Sequence, residues 1–277
     1  MTEERAWFKS LLPDDAADLP DIDTSVAHPA RMYDFYLGGK AHFAADRKAA
    51  GQVLTLLPEG RDMAVANRAF LGRVVRFLAR NGISQFLDIG TGIPSPGSTR
   101  EVIHGISPGA RVVYVDNDPI VIAHTRSLLA GGGPVSVVHA DLRDPEGLLG
   151  NPGVRNFLDF GKPIAVLLVA VLHFIRDREE PHRLVRTLRD AMPPGSYLAI
   201  SHGTQDFSPE RAMAAVRGYD EATAPFVLRT RDEIARFFDG LQLVEPGLVQ
   251  LPFWRPEDEA AGDPETIWLY AGVGRKG

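Results

Sequence analysis

Between residues 85 and 201, five short apolar runs alternate with segments of helical period, and no other feature restricts the fold as much. The runs are Gln85–Ile89, Arg111–Asp116, Val135–His139, Ile164–Val169 and Ser196–Ser201. They are rich in Val, Ile and Leu on successive residues, as strands buried on both faces must be. Helices are predicted near Ser98–Ile106, Pro119–Leu129, ahead of Asp159, and over Pro181–Met192. Parallel strands need crossovers of this kind, so the order dictates a doubly wound α/β sheet. Two later β-like runs, Leu241–Gln250 and Thr266–Val273, follow helices predicted at Pro209–Glu221 and Arg231–Phe238. They are expected to pair antiparallel at one edge, for a mostly parallel sheet of about seven strands.

The chain before Ile83 reads differently. Met1–Thr24 has no sustained period and is expected to be an irregular arm. A helix is predicted from Pro29, with Met32, Tyr33, Tyr36 and Leu37 on one face and Gly38-Gly39 as its stop. A second is predicted over Ala44–Leu57. A third, over Met63–Ala79, carries Phe70, Leu71, Val74, Val75 and Leu78 before Asn81-Gly82. The expected organisation is an arm and helical cap over residues 1–82, packed as one unit with a sheet domain over residues 83–277.

Composition removes several function classes. The chain has no cysteine, which excludes disulfides, thiolate metal sites, iron–sulfur clusters and cysteine nucleophiles. A formal net charge of -6 offers no global field for nucleic acid or anionic lipid, so no nucleic-acid or membrane partner is expected. The longest apolar run, Ile164–Leu172, is far short of the roughly 20 residues of a spanning helix, and the first residues lack the pattern of a signal peptide, so a cytoplasmic location is expected. His28, His42, His104, His124 and His182 show no paired ligand spacing, and no metal is assigned.

Chemistry concentrates where strands end. The first strand closes as Asp88-Ile89-Gly90-Thr91-Gly92, and glycines at a strand-to-helix turn allow the backbone to approach a ligand that a Cβ would displace. Asp116, which ends the second strand, falls 24 positions after Gly92, near the spacing of a carboxylate that accepts ribose hydroxyls. Asn117 or Asp118 equally suits a cap for the helix at Pro119, with Asp116 as a turn residue. Asp141, followed by Leu142, ends the third strand, where it suits an adenine amine or, equally, an N-cap or Asx turn before the helix begun at Pro145. In a doubly wound sheet the three carboxylates face one crevice beyond the carboxyl ends of the strands.

These residues resemble the class I S-adenosylmethionine-dependent methyltransferases, whose first-strand motif Asp/Glu-x-Gly-x-Gly, second-strand acidic end and Asp after the third strand are matched by Asp88, Gly90, Gly92, Asp116 and Asp141. The segments Ala30–Gly39 and Asn67–Phe70 are further similar to an actinobacterial family named S-adenosyl methyltransferase. The resemblance implies a Rossmann-like fold with S-adenosyl-L-methionine as cofactor. It implies that the glycine turn with Thr91 holds the methionine and ribose part, Asp116 and Asn117 the ribose, and Asp141 with Leu142 the adenine. Arg31, Tyr33, Tyr36 or Arg68 of the helical segment would meet the cofactor carboxylate or the substrate.

Two other readings stay open at the level of sequence: a nicotinamide-dependent oxidoreductase, and a protein that binds S-adenosylmethionine or its product without turnover. The first is disfavoured because Pro94 and Pro96 flank Ser95, the third fingerprint position, and remove N–H donors that a pyrophosphate needs. The fourth strand lacks an Asn-Pro-Pro-Tyr pattern, which argues against a nucleic-acid base or amide nitrogen, and a small-molecule acceptor is expected. Methyl transfer demands mainly alignment. If a base is used, His173, after the fourth strand, is the candidate, and a hydrogen-bonded structural histidine is the competing reading. Trp254, in a proline-punctuated loop, is placed near the substrate entrance, whereas Trp268 is expected in the core.

Overall fold

A computed structural model describes residues 23–129, 133–219, 222–257 and 262–277. Nearly all of the expected N-terminal arm, including Trp7, and the end of the helix predicted to reach Glu221 lie outside these residues.

The parallel core comprises β1 (Gln85–Ile89), β2 (Arg111–Asp116), β3 (Val135–His139), β4 (Ala165–Val169) and β5 (Tyr197–Gly203). Antiparallel β8 (Leu269–Arg275) continues it, carrying β6 (Gln242–Leu243) and β7 (Val249–Gln250) on its far side. The order is β3-β2-β1-β4-β5-β8-β6, with β7 also on β8. Several strand bounds differ from expectation: β4 and β5 each start one residue later, and β8 spans Leu269–Arg275 where Thr266–Val273 was expected. β5 runs two residues past Ser201 because β8 pairs with it as far as Gly203↔Leu269. The run expected over Leu241–Gln250 is broken, since Pro246 has no N–H for a ladder and Gly247 turns the chain at φ +89.

Ten helices are described: α1 (Pro29–Tyr36), α2 (Ala44–Leu56), α3 (Gly60–Arg80), α4 (Thr99–His104), α5 (Pro119–Leu129), α6 (Pro145–Gly150), α7 (Pro152–Arg155), α8 (Pro181–Ala191), α9 (Pro209–Val216) and α10 (Arg231–Ala235). Side-chain alternation along the strands splits the core in two. Leu87, Ile89, Val113, Val166, Leu198 and Ile200 face α6, α8 and α10, while Phe86, Val112, Leu167 and Ala199 face α3. The apolar stripe of α3 thus forms part of the sheet's own core, and a division at residue 82 separates chain segments but not cores. Trp254 corrects its sequence reading: it is fully buried, edge-on to Phe70 and Phe77 at centroid distances of 5.3 and 5.8 Å, far from any entrance role. Trp268 is buried, as expected.

Above the carboxyl edge of the sheet, α1 and α2 form a roof with its own small core of Met32, Tyr36, Ala50, Val53 and Tyr219. The roof is fastened by buried charge. Arg31 Nε donates to Asp118 Oδ2 at 2.9 Å, and its Nη1 lies 3.6 Å from Asp46 Oδ2. Asp46, wholly buried, also accepts the backbone N–H groups of His28 and Phe43. Removing one partner strands the others in a low-dielectric interior. Arg31→Met should therefore destabilise the protein by about 3–5 kcal/mol, measured by urea unfolding; a loss below about 1 kcal/mol, the range of an exposed pair, would show that the cluster does not hold the roof.

Candidate functional site

The chain runs β1 to β3 toward one side and places β4 and β5 on the other, so the order reverses between β1 and β4. Loops leave in opposite directions at such a point and open a crevice. A cavity of about 430 Å³ lies there, under the α1–α2 roof. Its size falls within the roughly 300–1,000 Å³ of small-molecule sites.

The first turn is built from β1 and β2 together. Gly90 (φ +71) and Thr91 both donate to Val115 O, and Gly92 (φ +66) donates to Asp116 Oδ2 at 2.9 Å. A Cβ on Gly90 would stand 2.4 Å from Val171 Cγ2, whereas none of the heavy atoms considered lies within 4 Å of a Cβ on Gly92. The first glycine therefore permits a close crossing of β1 and β4 loops, and the second leaves space open. Ala170, at φ +57, supplies the other side of that crossing, held by a bond from its N–H to Ser201 Oγ. The connection Ile93–Ser98 separates the glycines from α4, so the turn does not abut a helix N-terminus of the sort that receives a pyrophosphate.

Asp88, Gly90, Thr91, Gly92, Asp116, Asn117, Asp141, Leu142, Tyr36 and His173 all line the cavity. Asp88 accepts from Thr99 Oγ1 at 2.6 Å, and burial pushes its carboxyl up to about 6. Asp116 binds the N–H groups of Gly92 and Asp118, yet burial still raises it to about 7. Its turn role and its cavity position thus coexist. Asp118 caps α5 through Ile120 N, and Asp144, not Asp141, caps α6. Asp141 is held by Asn117 Nδ2 and by both the backbone and guanidinium of Arg143, which also reaches Glu179 and Phe174 O.

Arg31 stands apart from this set. It is absent from the cavity lining, and its charge is spent on Asp118 and Asp46. Arg68 does line the cavity: its guanidinium lies 5.9 Å from the Tyr33 ring centroid and its buried Nε has no hydrogen-bond partner. Its charge draws the Asp88 carboxyl downward against burial. His173 is buried, with Nδ1 accepting the Gly203 N–H at 3.3 Å. That bond puts the proton of the neutral ring on Nε2. Burial, and then His202 and Arg229, hold the ring well below its ordinary pKa, with the Ala170 backbone acting the other way. His173 is a neutral wall of the cavity whose Nδ1 lone pair is already engaged by the Gly203 N–H, the hydrogen-bonded arrangement that the sequence left open beside a role as base.

Three lining groups, Asn67, Tyr219 and Phe226, were missed. Ser201 Oγ donates to Asn67 Oδ1 at 2.6 Å, Asn67 Nδ2 to Tyr33 at 3.0 Å, and Tyr33 to Ala64 O at 2.9 Å, joining β5, α3 and α1. Asn67 had a legible signal, being polar on the apolar stripe of α3. Tyr219, near the end of the helix predicted over Pro209–Glu221, and Phe226, between predicted helices, had none, because nothing local to either ring points to a cavity. Among the described residues no group of His, Asp and Glu is arranged to hold a metal, and no helix is long and apolar enough to cross a membrane.

A family model described as S-adenosyl methyltransferase matches residues 15–277. The crystal structure of a DUF574 family protein from Streptomyces avermitilis is 42% identical, covering 93% of this chain and 100% of that one, with a TM-score of 0.89. A candidate methyltransferase from Thermobifida fusca is 41% identical, covering 92% and 96%, with a TM-score of 0.86. No curated protein matches the chain significantly.

The raised carboxyls make stability depend on pH with a definite sign. An unfolded Asp loses its proton near 4, so between about pH 4 and 7 native Asp116 keeps a proton that the unfolded chain has lost. Its contribution is most favourable at acid pH and fades as pH rises through that window. The buried histidines, held low by burial, act oppositely, so the test is differential. The stability of Asp116→Asn relative to the parent should rise by on the order of 3 kcal/mol between pH 5 and 8, followed by urea unfolding; a difference independent of pH would refute the assignment.

Proposed function

We propose, from the premise that the chain belongs to the S-adenosyl methyltransferase family and uses S-adenosyl-L-methionine as methyl donor, that the donor lies along the edge from β3 to β1 and a small-molecule acceptor lies beyond β4. The observation that carries this reading is one cavity at the switch point lined by Asp88, Asp116, Asp141 and Arg68 together, the buried Nε of Arg68 having no hydrogen-bond partner. Bound there, the donor would supply a methyl group on a sulfonium sulfur, a leaving group good enough that the chain's own residues would mainly have to hold it in line with an acceptor lone pair.

The residues present fit that donor end to end. Asp116 has lone pairs free beside its two backbone donors, and a ribose diol supplies the O–H groups to fill them. Asp141, steadied by Asn117 and Arg143, accepts from an adenine amine while Leu142 offers an apolar surface. Gly92 leaves room that a side chain would take. Arg68 pairs with the α-carboxylate, and Asp88 with the α-ammonium, so that the half-buried guanidinium and the buried carboxyl each meet a group of opposite charge. No side chain is assigned as general base, and alignment under the roof carries the rate. The acceptor is small because donor and acceptor share about 430 Å³.

Two binding experiments test the division. Arg68→Gln should weaken S-adenosylhomocysteine about tenfold or more, since a charge-assisted bond contributes about 1.5–3 kcal/mol, while leaving 5′-methylthioadenosine, which lacks the amino acid, within twofold. Equal losses for both ligands would remove Arg68 from the carboxylate. Because the ionised form of Asp116 accepts the diol, S-adenosylhomocysteine affinity should rise up to about tenfold between pH 6 and 8, as expected for a group ionising near 7. Calorimetry showing no pH dependence would refute that role.

A further inference from the structure

Beyond β4 the cavity changes character. Tyr36 from α1, Phe174 from the turn after β4, and Tyr219 and Phe226 from the segment after α9 all line it. Tyr219 and Phe226 lie nearly parallel with centroids 5.0 Å apart, and Phe174 stands 5.8 and 5.7 Å from them. Phe174 and Phe226 are only half-buried, although rings of this size would ordinarily be packed away. Gly203 makes room for the arrangement, since a Cβ there would come within 2.9 Å of Phe226 Cζ. Among the described residues no carboxylate lines this end: Asp88 is in β1, Asp116 ends β2 and Asp141 follows β3.

Its polar groups are few: the Tyr36 and Tyr219 hydroxyls, Thr223, and the neutral ring of His173 4.5 Å from both Phe174 and Phe226, while the one cation beside them, Arg143 on Phe174 O, is already paired with Asp141 and Glu179. The Tyr36 and Tyr219 hydroxyls are 3.4 Å apart and bond to each other. Burial raises both, Tyr219 to about 12, so each keeps its proton at neutral pH. One hydroxyl donates to the other, which leaves one O–H and several lone pairs for a third partner. The Tyr33 hydroxyl is already engaged with Asn67 and Ala64 O.

We propose that the acceptor is an uncharged, planar aromatic molecule bearing a hydroxyl or amino group, stacked against Phe174, Tyr219 and Phe226 with its heteroatom on the Tyr36–Tyr219 hydroxyl pair. This rests on the division of the cavity proposed above. Flat apolar walls favour a flat apolar ligand, and a carboxylate or phosphate would be desolvated there with only neutral donors to receive it. The paired hydroxyls give the aromatic group a fixed orientation, which transfer to one particular heteroatom requires.

The test is calorimetric titration of the full chain, with and without saturating S-adenosylhomocysteine, using 2-naphthol, 6-aminoquinoline, naphthalene, 2-naphthoate, decahydro-2-naphthol and phenyltrimethylammonium. We expect 2-naphthol or 6-aminoquinoline to bind saturably to the loaded protein, at least tenfold tighter than the charged or saturated probes. The Tyr36→Phe/Tyr219→Phe double variant, which keeps both rings, should bring 2-naphthol down to the affinity of naphthalene and leave S-adenosylhomocysteine within twofold. Phe226→Ala should weaken both aromatic probes. Tighter binding of 2-naphthoate would transfer the acceptor to Arg68 and overturn the proposal, as would tighter binding of the ammonium or equal binding of the saturated alcohol. Absence of neutral aromatic binding would overturn it as well. Failure of S-adenosylhomocysteine to bind while 2-naphthol binds would instead refute the donor placement.

Discussion

One buried guanidinium holds the site in its shape. Arg31 ties α1 to the β2–α5 turn through Asp118 and to α2 through Asp46, joining segments remote in sequence around a single positive charge. Such a cluster is a poor way to gain stability, because each ion gives up its water, but it fixes one arrangement once formed. Here it sets the roof over the carboxyl ends of the strands. The same turn that receives Arg31 carries Asp116 and Asn117, so the roof and the cavity floor share a support.

The division of labour inside the cavity follows from the topology of the sheet. The ends of β1 and β2 and the turn after β3 bring carboxylates, and the segments after β4 and β5 bring apolar and aromatic walls with the neutral His173. Arg229 steadies the second half. It donates to Leu172 O and Ile175 O on either side of His173 and Phe174, and to His202 Nε2. In the proposed placement, a charged half for the donor beside a half without carboxylates for the acceptor suits a reaction in which a cationic donor meets a nucleophile whose lone pair must stay free. The burial that raises Asp88 and Asp116 is the same exclusion of water that keeps the two tyrosine hydroxyls protonated.

Particular residues show how far sequence reasoning reached. Asp88, Gly90, Gly92, Asp116 and Asp141 were legible because each sits at the end of an apolar run, where chain order alone places it on one edge of a parallel sheet. Arg143 escaped, although it lies two residues after Asp141, because an exposed arginine in a turn is common and only its bonds to Asp141, Glu179 and Phe174 O mark it. Arg31 and Arg68 were indistinguishable as cations on the amino-terminal helices. Folding spends the first on structural carboxylates and leaves the second facing the cavity. Trp254 was misread because proline-rich context suggests a surface loop, while burial against Phe70 and Phe77 decides otherwise.

Sequence by itself determined the sheet, its strand directions, the glycine turn and the carboxylates at its rim, since these depend on periodicity and on chemistry local to each strand end. Tertiary structure alone decided which cation is free, which tautomer His173 adopts, and that Tyr36, Phe174, Tyr219 and Phe226 meet. Those outcomes depend on contacts between residues as much as 183 positions apart, whose burial and hydrogen bonding exist only after the chain has closed on itself.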